Sequence, residues 1–125
     1  MNIAGILTNS IENGEGVRTS VFVSGCRIGC KGCHNTKEQD FNFGKEYNQE
    51  MRDTILKTLD KSYVDGITIL GGEPMDPLNQ EGVLDIIRNV KKYYPNKTIW
   101  LYTGYELETF KDKNNFNVTK HTEEI

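Results

Sequence analysis

Two periodicities alternate along this chain, and together they predict an α/β fold with a parallel sheet and crossover helices. Short β-branched or apolar runs stand at residues 17–24, 67–70 and 98–102. Between them, apolar residues recur at helical spacing in 47–59 and 83–94. The resulting order, strand and helix in turn three times over, is the pattern that a sheet of parallel strands requires.

Residues 2–7 form a further short strand at the start of the chain, followed by a polar loop with two glycines over 9–16. Residues 17–24 read Val-Arg-Thr-Ser-Val-Phe-Val-Ser, β-branched and aromatic with partial alternation, which marks a strand. Arg18 within it is read as a solvated strand residue. This strand runs straight into the segment that holds all three cysteines, so that segment lies past the carboxyl end of a strand, where α/β folds place their sites. Residues 36–45 are polar apart from Phe41 and Phe43 and are expected to be loop. Tyr47, Met51, Ile55 and Leu59 then recur every fourth residue, with Leu56 beside them, which gives an amphipathic helix of about three to four turns. After Asp65-Gly66, the apolar run 67–70 is a buried strand ending in Gly71-Gly72-Glu73-Pro74. Asp76-Pro77 is a helix start, Val83, Ile86, Ile87, Val90 and Tyr94 mark the apolar face, and Pro95 stops it. Residues 98–102 make a third buried strand that ends in Thr103-Gly104, with Trp100 and Tyr102 read as packing residues, and 106–110 open another helix. Residues 1–110 are thus one domain. The stretch 111–125 is a polar tail, expected to be poorly ordered, and its His121 has no identifiable partner.

Composition narrows the function classes. A chain of 125 residues suits a single domain. Its net charge of −3 offers no basic field for nucleic acid or an anionic membrane. No apolar run approaches the ~20 residues of a membrane span. No Lys or Arg precedes Arg18, so the start lacks the basic region of a signal peptide, and the expected compartment is the cytoplasm. There, three cysteines are an odd set for disulfides and stay reduced. Clustered reduced thiols point to a metal or redox site.

Cys26, Cys30 and Cys33 are spaced C-x3-C-x2-C, with Gly29 and Gly32 between them to allow a tight fold of the loop. Three chemistries compete for them. Zinc needs four ligands, which His34 would complete, although structural zinc sites pair separated knuckles. The run from Cys30 to His34 also matches the C-x-x-C-H haem-attachment pattern, but that leaves Cys26 unused and needs an exported context. A [4Fe–4S] cube on three thiolates leaves one iron open, and an open iron is where substrate chemistry can occur. Gly71-Gly72 leave backbone groups uncovered at the same sheet edge, fit to hold the amino group of a small ligand, and Glu73 adds a carboxylate for an ammonium. Thr103 falls at the equivalent end of the third strand. No His–carboxylate constellation is present, and cofactor-borne chemistry requires none.

Taken together, C-x3-C-x2-C after a strand and Gly-Gly-Glu-Pro at a later strand end resemble the radical S-adenosylmethionine enzymes. Residues 13–19, Phe22-Val23-Ser24-Gly25-Cys26, Gly32-Cys33-His34-Asn35, Leu70-Gly71-Gly72-Glu73-Pro74 and Trp100-Leu101-Tyr102-Thr103-Gly104-Tyr105 are similar to one branch, the activating proteins of anaerobic ribonucleoside-triphosphate reductase. The resemblance covers roughly residues 2–110. It implies a partial, open (βα) barrel of radical SAM type over 1–110, without the C-terminal strands that other members carry where this chain has its polar tail. It implies a [4Fe–4S] cluster on Cys26, Cys30 and Cys33, and S-adenosylmethionine held by Gly32, Cys33, His34, Gly71, Gly72, Glu73 and Thr103. The reduced cluster would cleave the sulfonium to give a 5′-deoxyadenosyl radical. That radical would take a hydrogen from a glycine of the reductase large subunit, leaving a glycyl radical. No side chain has a catalytic role of its own in this scheme, since the radical arises on the cofactor. The implied partners are that large subunit and reduced flavodoxin or an equivalent donor, with no nucleic acid and no membrane. Two other readings stand beside it: activation of another glycyl-radical enzyme such as pyruvate formate-lyase, and a non-catalytic iron–sulfur or zinc-binding module.

Overall fold

The computed structural model describes residues 1–12, 14–25, 41 and 44–104. The cysteines 26, 30 and 33, Gly32, His34, the expected helix 106–110, the tail 111–125 and His121 lie outside the described residues.

Seven elements succeed one another: β1 (Asn2–Ser10), β2 (Arg18–Val23), β3 (Lys45–Glu46), α1 (Gln49–Thr58), β4 (Gly66–Gly71), α2 (Pro77–Tyr93) and β5 (Thr98–Leu101). They build a five-stranded sheet in the order β3-β1-β2-β4-β5. β2, β4 and β5 are parallel, with Thr19 opposite Ile67 and Ile67 opposite Ile99. β1 runs antiparallel to both β2 and β3, so the sheet is mixed rather than parallel throughout. The reason lies in the connections. Only the links that contain α1 and α2 are long enough to return the chain in the same direction, whereas the short link from β1 to β2 forces reversal. The two-residue β3 begins on the last residue of the stretch expected to be loop, because Ile3 and Asn2 offer an open strand edge to Lys45 and Glu46.

Both helices begin on capping residues. Asn48 accepts a hydrogen bond from the Met51 amide at 2.9 Å, and Asp76 accepts one from Leu78 at 3.0 Å, with Pro77 at the first turn of α2. Val21, Val23, Ile67 and Ile69 alternate onto one face of the sheet and meet Ile55 of α1, Leu59 at its C-cap, and Val83, Ile86, Ile87 and Val90 of α2 in a buried core. Each such side chain contributes on the order of 1.5–3 kcal/mol by leaving water. No helix among the described residues is long and apolar enough to cross a membrane.

Two expectations are overturned by the fold. Arg18 is not a solvated residue: it is 1% exposed. It stands at the start of β2, opposite Gly66 in register, where β4 and β5 also begin. Its Nε donates to Thr68 Oγ1 at 2.8 Å, Nη1 to Thr98 Oγ1 at 2.7 Å and the Glu15 carbonyl at 3.1 Å, and Nη2 to the carbonyls of Ile67 and Thr98 at 2.8 and 2.9 Å. All five guanidinium N–H groups are thereby used, and the plane sits 5.6 Å from the Trp100 ring. Burial pulls the guanidinium pKa down, against the pull of Asp65, Tyr102 and Glu15 in the other direction. The second correction concerns β5, which is not buried. It is the last strand of the sheet among the described residues, and Trp100 and Tyr102, edge to face at 6.4 Å, are 36% and 40% exposed.

Candidate functional site

The parallel strands β2, β4 and β5 end along one edge of the sheet. Val23 is opposite Gly71, and the Tyr102 amide, just past β5, donates to the Ile69 carbonyl at 3.0 Å. Each of these strands gives way to a polar segment: Ser24-Gly25 leading into Cys26, Gly72-Glu73-Pro74, and Thr103-Gly104. The sequence expects these three ends to meet, and for the described residues they do.

The first tie is backbone. The Gly72 amide donates to the Val23 carbonyl and the Glu73 amide to the Gly25 carbonyl, both at 2.7 Å, so the glycine turn stays paired to β2's extension up to the residue before Cys26. Two glycines make this approach feasible. Gly71 has φ +111°, and a Cβ there would lie 2.7 Å from Val23 backbone atoms. Gly25 has φ +100°, and a Cβ there would lie 2.0 Å from the Phe41 ring. Gly71 and Gly72 remain half-exposed while residues 73–76 are buried, so the turn presents bare backbone at the surface over a fixed base.

The second tie is the Glu73 side chain, which is 1% exposed. Its Oε2 accepts from the Met75 amide at 2.7 Å and from Thr103 Oγ1 at 2.8 Å, and its Oε1 accepts from the Gly104 amide at 2.6 Å. The sequence reading gives this carboxylate to a ligand's ammonium and groups Thr103 with the cofactor. In the structure the carboxylate turns inward and the Thr103 hydroxyl is bonded to it. Three internal donors satisfy the charge, and the pair joins the end of β4 to the end of β5.

The third tie comes from α2. Asn79, 1% exposed, donates from Nδ2 to the carbonyls of Ser24 and Glu73, each at 3.0 Å. Gln80, fully buried, donates to the Met75 carbonyl at 2.7 Å. Neither amide was singled out from the sequence, although a signal existed. Asn79 stands four residues before Val83 on the same stripe as Ile86, Ile87 and Val90, and a polar residue on the apolar face of a helix is there to bond something buried.

Of the residues named from the sequence, Gly71, Gly72, Glu73 and Thr103 are therefore gathered at one edge, while Cys26, Cys30, Gly32, Cys33 and His34 lie outside the described residues. Among the described residues no three metal-ligating side chains converge. Three thiols within eight residues of sequence have the donor chemistry of an iron–sulfur cube. The strand end that precedes the first of them is buried and hydrogen-bonded on both sides, by Asn2 and by Glu73 and Asn79.

Comparison with known proteins bears on the same edge. A family model described as a 4Fe-4S single cluster domain matches residues 12–124. The anaerobic ribonucleoside-triphosphate reductase-activating protein of Haemophilus influenzae is 39% identical over 110 residues, which cover 86% of this chain and 71% of its own. The protein of that name from Vibrio cholerae is 41% identical over 104 residues, 82% of this chain and 67% of its own. The one from Enterobacteria phage T4 is 36% identical over 111 residues, 89% and 71%. The matched stretch runs through the three cysteines, the glycine turn and α2, and the chain belongs to the family of anaerobic ribonucleoside-triphosphate reductase-activating proteins.

Proposed function

We propose that this chain is the activase of an anaerobic ribonucleoside-triphosphate reductase, a radical S-adenosylmethionine enzyme that works in the cytoplasm. One observation carries the reading: the glycine turn at Gly71-Gly72 is hydrogen-bonded, residue by residue, to the strand that leads into Cys26. A site that holds one cofactor between a cluster and a backbone edge needs those two parts kept in register, and the bonds from Gly72 to Val23 and from Glu73 to Gly25 support that reading on the strand side.

In this reading Cys26, Cys30 and Cys33 hold a [4Fe–4S] cluster. The half-exposed backbone of Gly71 and Gly72 takes the amino group of S-adenosylmethionine, and Gly32, Cys33 and His34 lie against its adenosyl part. Glu73 and Thr103 serve the site from below, by fixing the turn, instead of reaching the ligand themselves. When bound and reduced, the cluster supplies the electron that cleaves the sulfonium and starts the hydrogen abstraction from a reductase glycine. The chain's own work is to bind, to orient and to keep water from the reacting atoms. The described sheet is, on this reading, part of an open (βα) barrel of radical SAM type spanning residues 1–110. The electron donor is reduced flavodoxin or an equivalent.

The test is anaerobic reconstitution with iron and sulfide. The expected product is a cluster that cleaves S-adenosylmethionine under dithionite and, with the reductase large subunit present, gives a glycyl-radical signal by electron paramagnetic resonance. Zinc uptake without cleavage would overturn the reading. Cleavage with a radical on pyruvate formate-lyase but none on the reductase would move the activity to that target. Cys26→Ala, Cys30→Ala and Cys33→Ala are each expected to abolish cleavage, and full activity in any of them would remove that cysteine from the ligand set.

A further inference from the structure

The Asn79 side chain bonds both the strand leading into Cys26 and the loop that carries the glycine turn. It lies in the first turn of α2, and both hydrogens of its Nδ2 are committed, one to the Ser24 carbonyl and one to the Glu73 carbonyl. Those two carbonyls belong to different strand ends. They also dictate the orientation of the amide: turned over, the side-chain oxygen would face two carbonyl oxygens. In the orientation observed, Oδ1 is buried and has no partner among the described residues. An amide is therefore kept in this position for its donors, at the expense of a desolvated acceptor. A residue selected only to fill the space would be apolar.

The other buried amide of that turn makes the contrast. Gln80 donates to the Met75 carbonyl, which keeps it within the loop between β4 and α2, and none of the hydrogen bonds described for it reaches residues 23–25. This bond of Gln80 braces one loop. Asn79 spans two.

We propose that Asn79 is a positioning residue for cofactor binding: by holding the carbonyls of Ser24 and Glu73 on one nitrogen, it sets the glycine turn in register with the cysteine loop and so determines the affinity for S-adenosylmethionine. This rests on the function proposed above. A ligand held at two anchors binds tightly only if their separation is preset, since otherwise part of the binding energy goes to ordering them. Tolerances at such sites are about 0.5 Å. Removing Asn79 leaves each anchor intact and leaves only the backbone bonds from Gly72 to Val23 and from Glu73 to Gly25 to hold one against the other.

The test compares wild type, Asn79→Ala, Asn79→Ser and Gln80→Ala after anaerobic reconstitution. Three quantities are read: iron and sulfide per chain, the thermal midpoint, and the dissociation constant for S-adenosylmethionine from its effect on the resonance spectrum of the reduced cluster. The expected result is that Asn79→Ala keeps its cluster but binds S-adenosylmethionine at least tenfold more weakly, about 1.4 kcal/mol. Asn79→Ser, with one donor on a shorter arm, is expected to weaken binding at least threefold. Gln80→Ala is expected to lose thermal stability while its affinity stays within twofold of wild type. Wild-type affinity in either folded Asn79 variant would overturn the inference and leave the proposed function standing. So would an equal loss of affinity in Gln80→Ala, since any weakening of the loop would then suffice. A wild-type protein whose reduced cluster does not respond to S-adenosylmethionine would instead overturn the proposed function, and this inference with it.

Discussion

Glu73 and Thr103 stand 30 residues apart in the chain, and a 2.8 Å hydrogen bond joins their side chains. With the bond from the Gly104 amide to the same carboxylate, it fastens the end of β5 to the glycine turn after β4. Thr103→Val removes one donor from a part-exposed bond and is expected to cost about 0.5–1.5 kcal/mol. Glu73→Gln turns an amide N–H₂ toward groups that are themselves donors and, in a buried position, is expected to cost about 1–3 kcal/mol. Urea denaturation of the two variants checks the order, with Glu73→Gln the less stable.

Gly25 is the last described residue before Cys26 and has a positive φ. Gly25→Ala would place a methyl 2.0 Å from the Phe41 ring at a φ of +100°. The backbone has to shift to relieve both the clash and the strain, and the residue that shifts immediately precedes Cys26. The expected outcome is a folded chain that takes up less than half the wild-type iron on reconstitution, read by iron analysis alongside circular dichroism. Wild-type iron content would show that the entry to the loop tolerates displacement.

Arg18 supports the far end of the same strands. Arg18→Lys keeps the charge but replaces a planar fork of five donors by one ammonium. Of the five acceptors now served, Thr68 Oγ1, Thr98 Oγ1 and the carbonyls of Glu15, Ile67 and Thr98, at least two lose their donor. The expected loss is about 2–4 kcal/mol, from unsatisfied buried acceptors at about 1–3 kcal/mol each. A chemical-denaturation midpoint within error of wild type would mean that the guanidinium fork does not hold these strand starts together.

Tyr47 joins the start of α1 to α2 by donating to Asp85 Oδ2 at 2.6 Å. Burial, and then this hydrogen bond, push the phenol pKa above its ordinary value. A raised pKa means that the folded state holds the proton more tightly than the unfolded state. The resulting stability is complete below the unfolded value of about 10 and is lost as pH rises above it toward the folded value. Tyr47→Phe is expected to cost about 1 kcal/mol near neutrality. Its deficit relative to wild type should hold steady up to pH ~9 and then shrink above ~10 as the phenol of the unfolded wild-type chain loses its proton. Parallel pH–stability curves through that range would mean that Tyr47 does not titrate with unfolding.

The sequence by itself determined the local features. The helices at Gln49–Thr58 and Pro77–Tyr93 arise from apolar spacing and from the caps Asn48 and Asp76, and the cysteine spacing and the Gly71-Gly72-Glu73-Pro74 turn could be read directly. These are properties of a few neighbouring residues, which the chain carries wherever it folds. Only the tertiary structure decided what the polar side chains bond to. Arg18 is buried because β4 and β5 happen to begin beside it. Glu73 turns inward because the end of β5 brings Thr103 and Gly104 to it. Asn79 reaches Ser24 because α2 packs across the end of β2. A hydrogen bond needs its partner within about 3 Å, and for each of these residues that partner comes from another strand, one that no local pattern names.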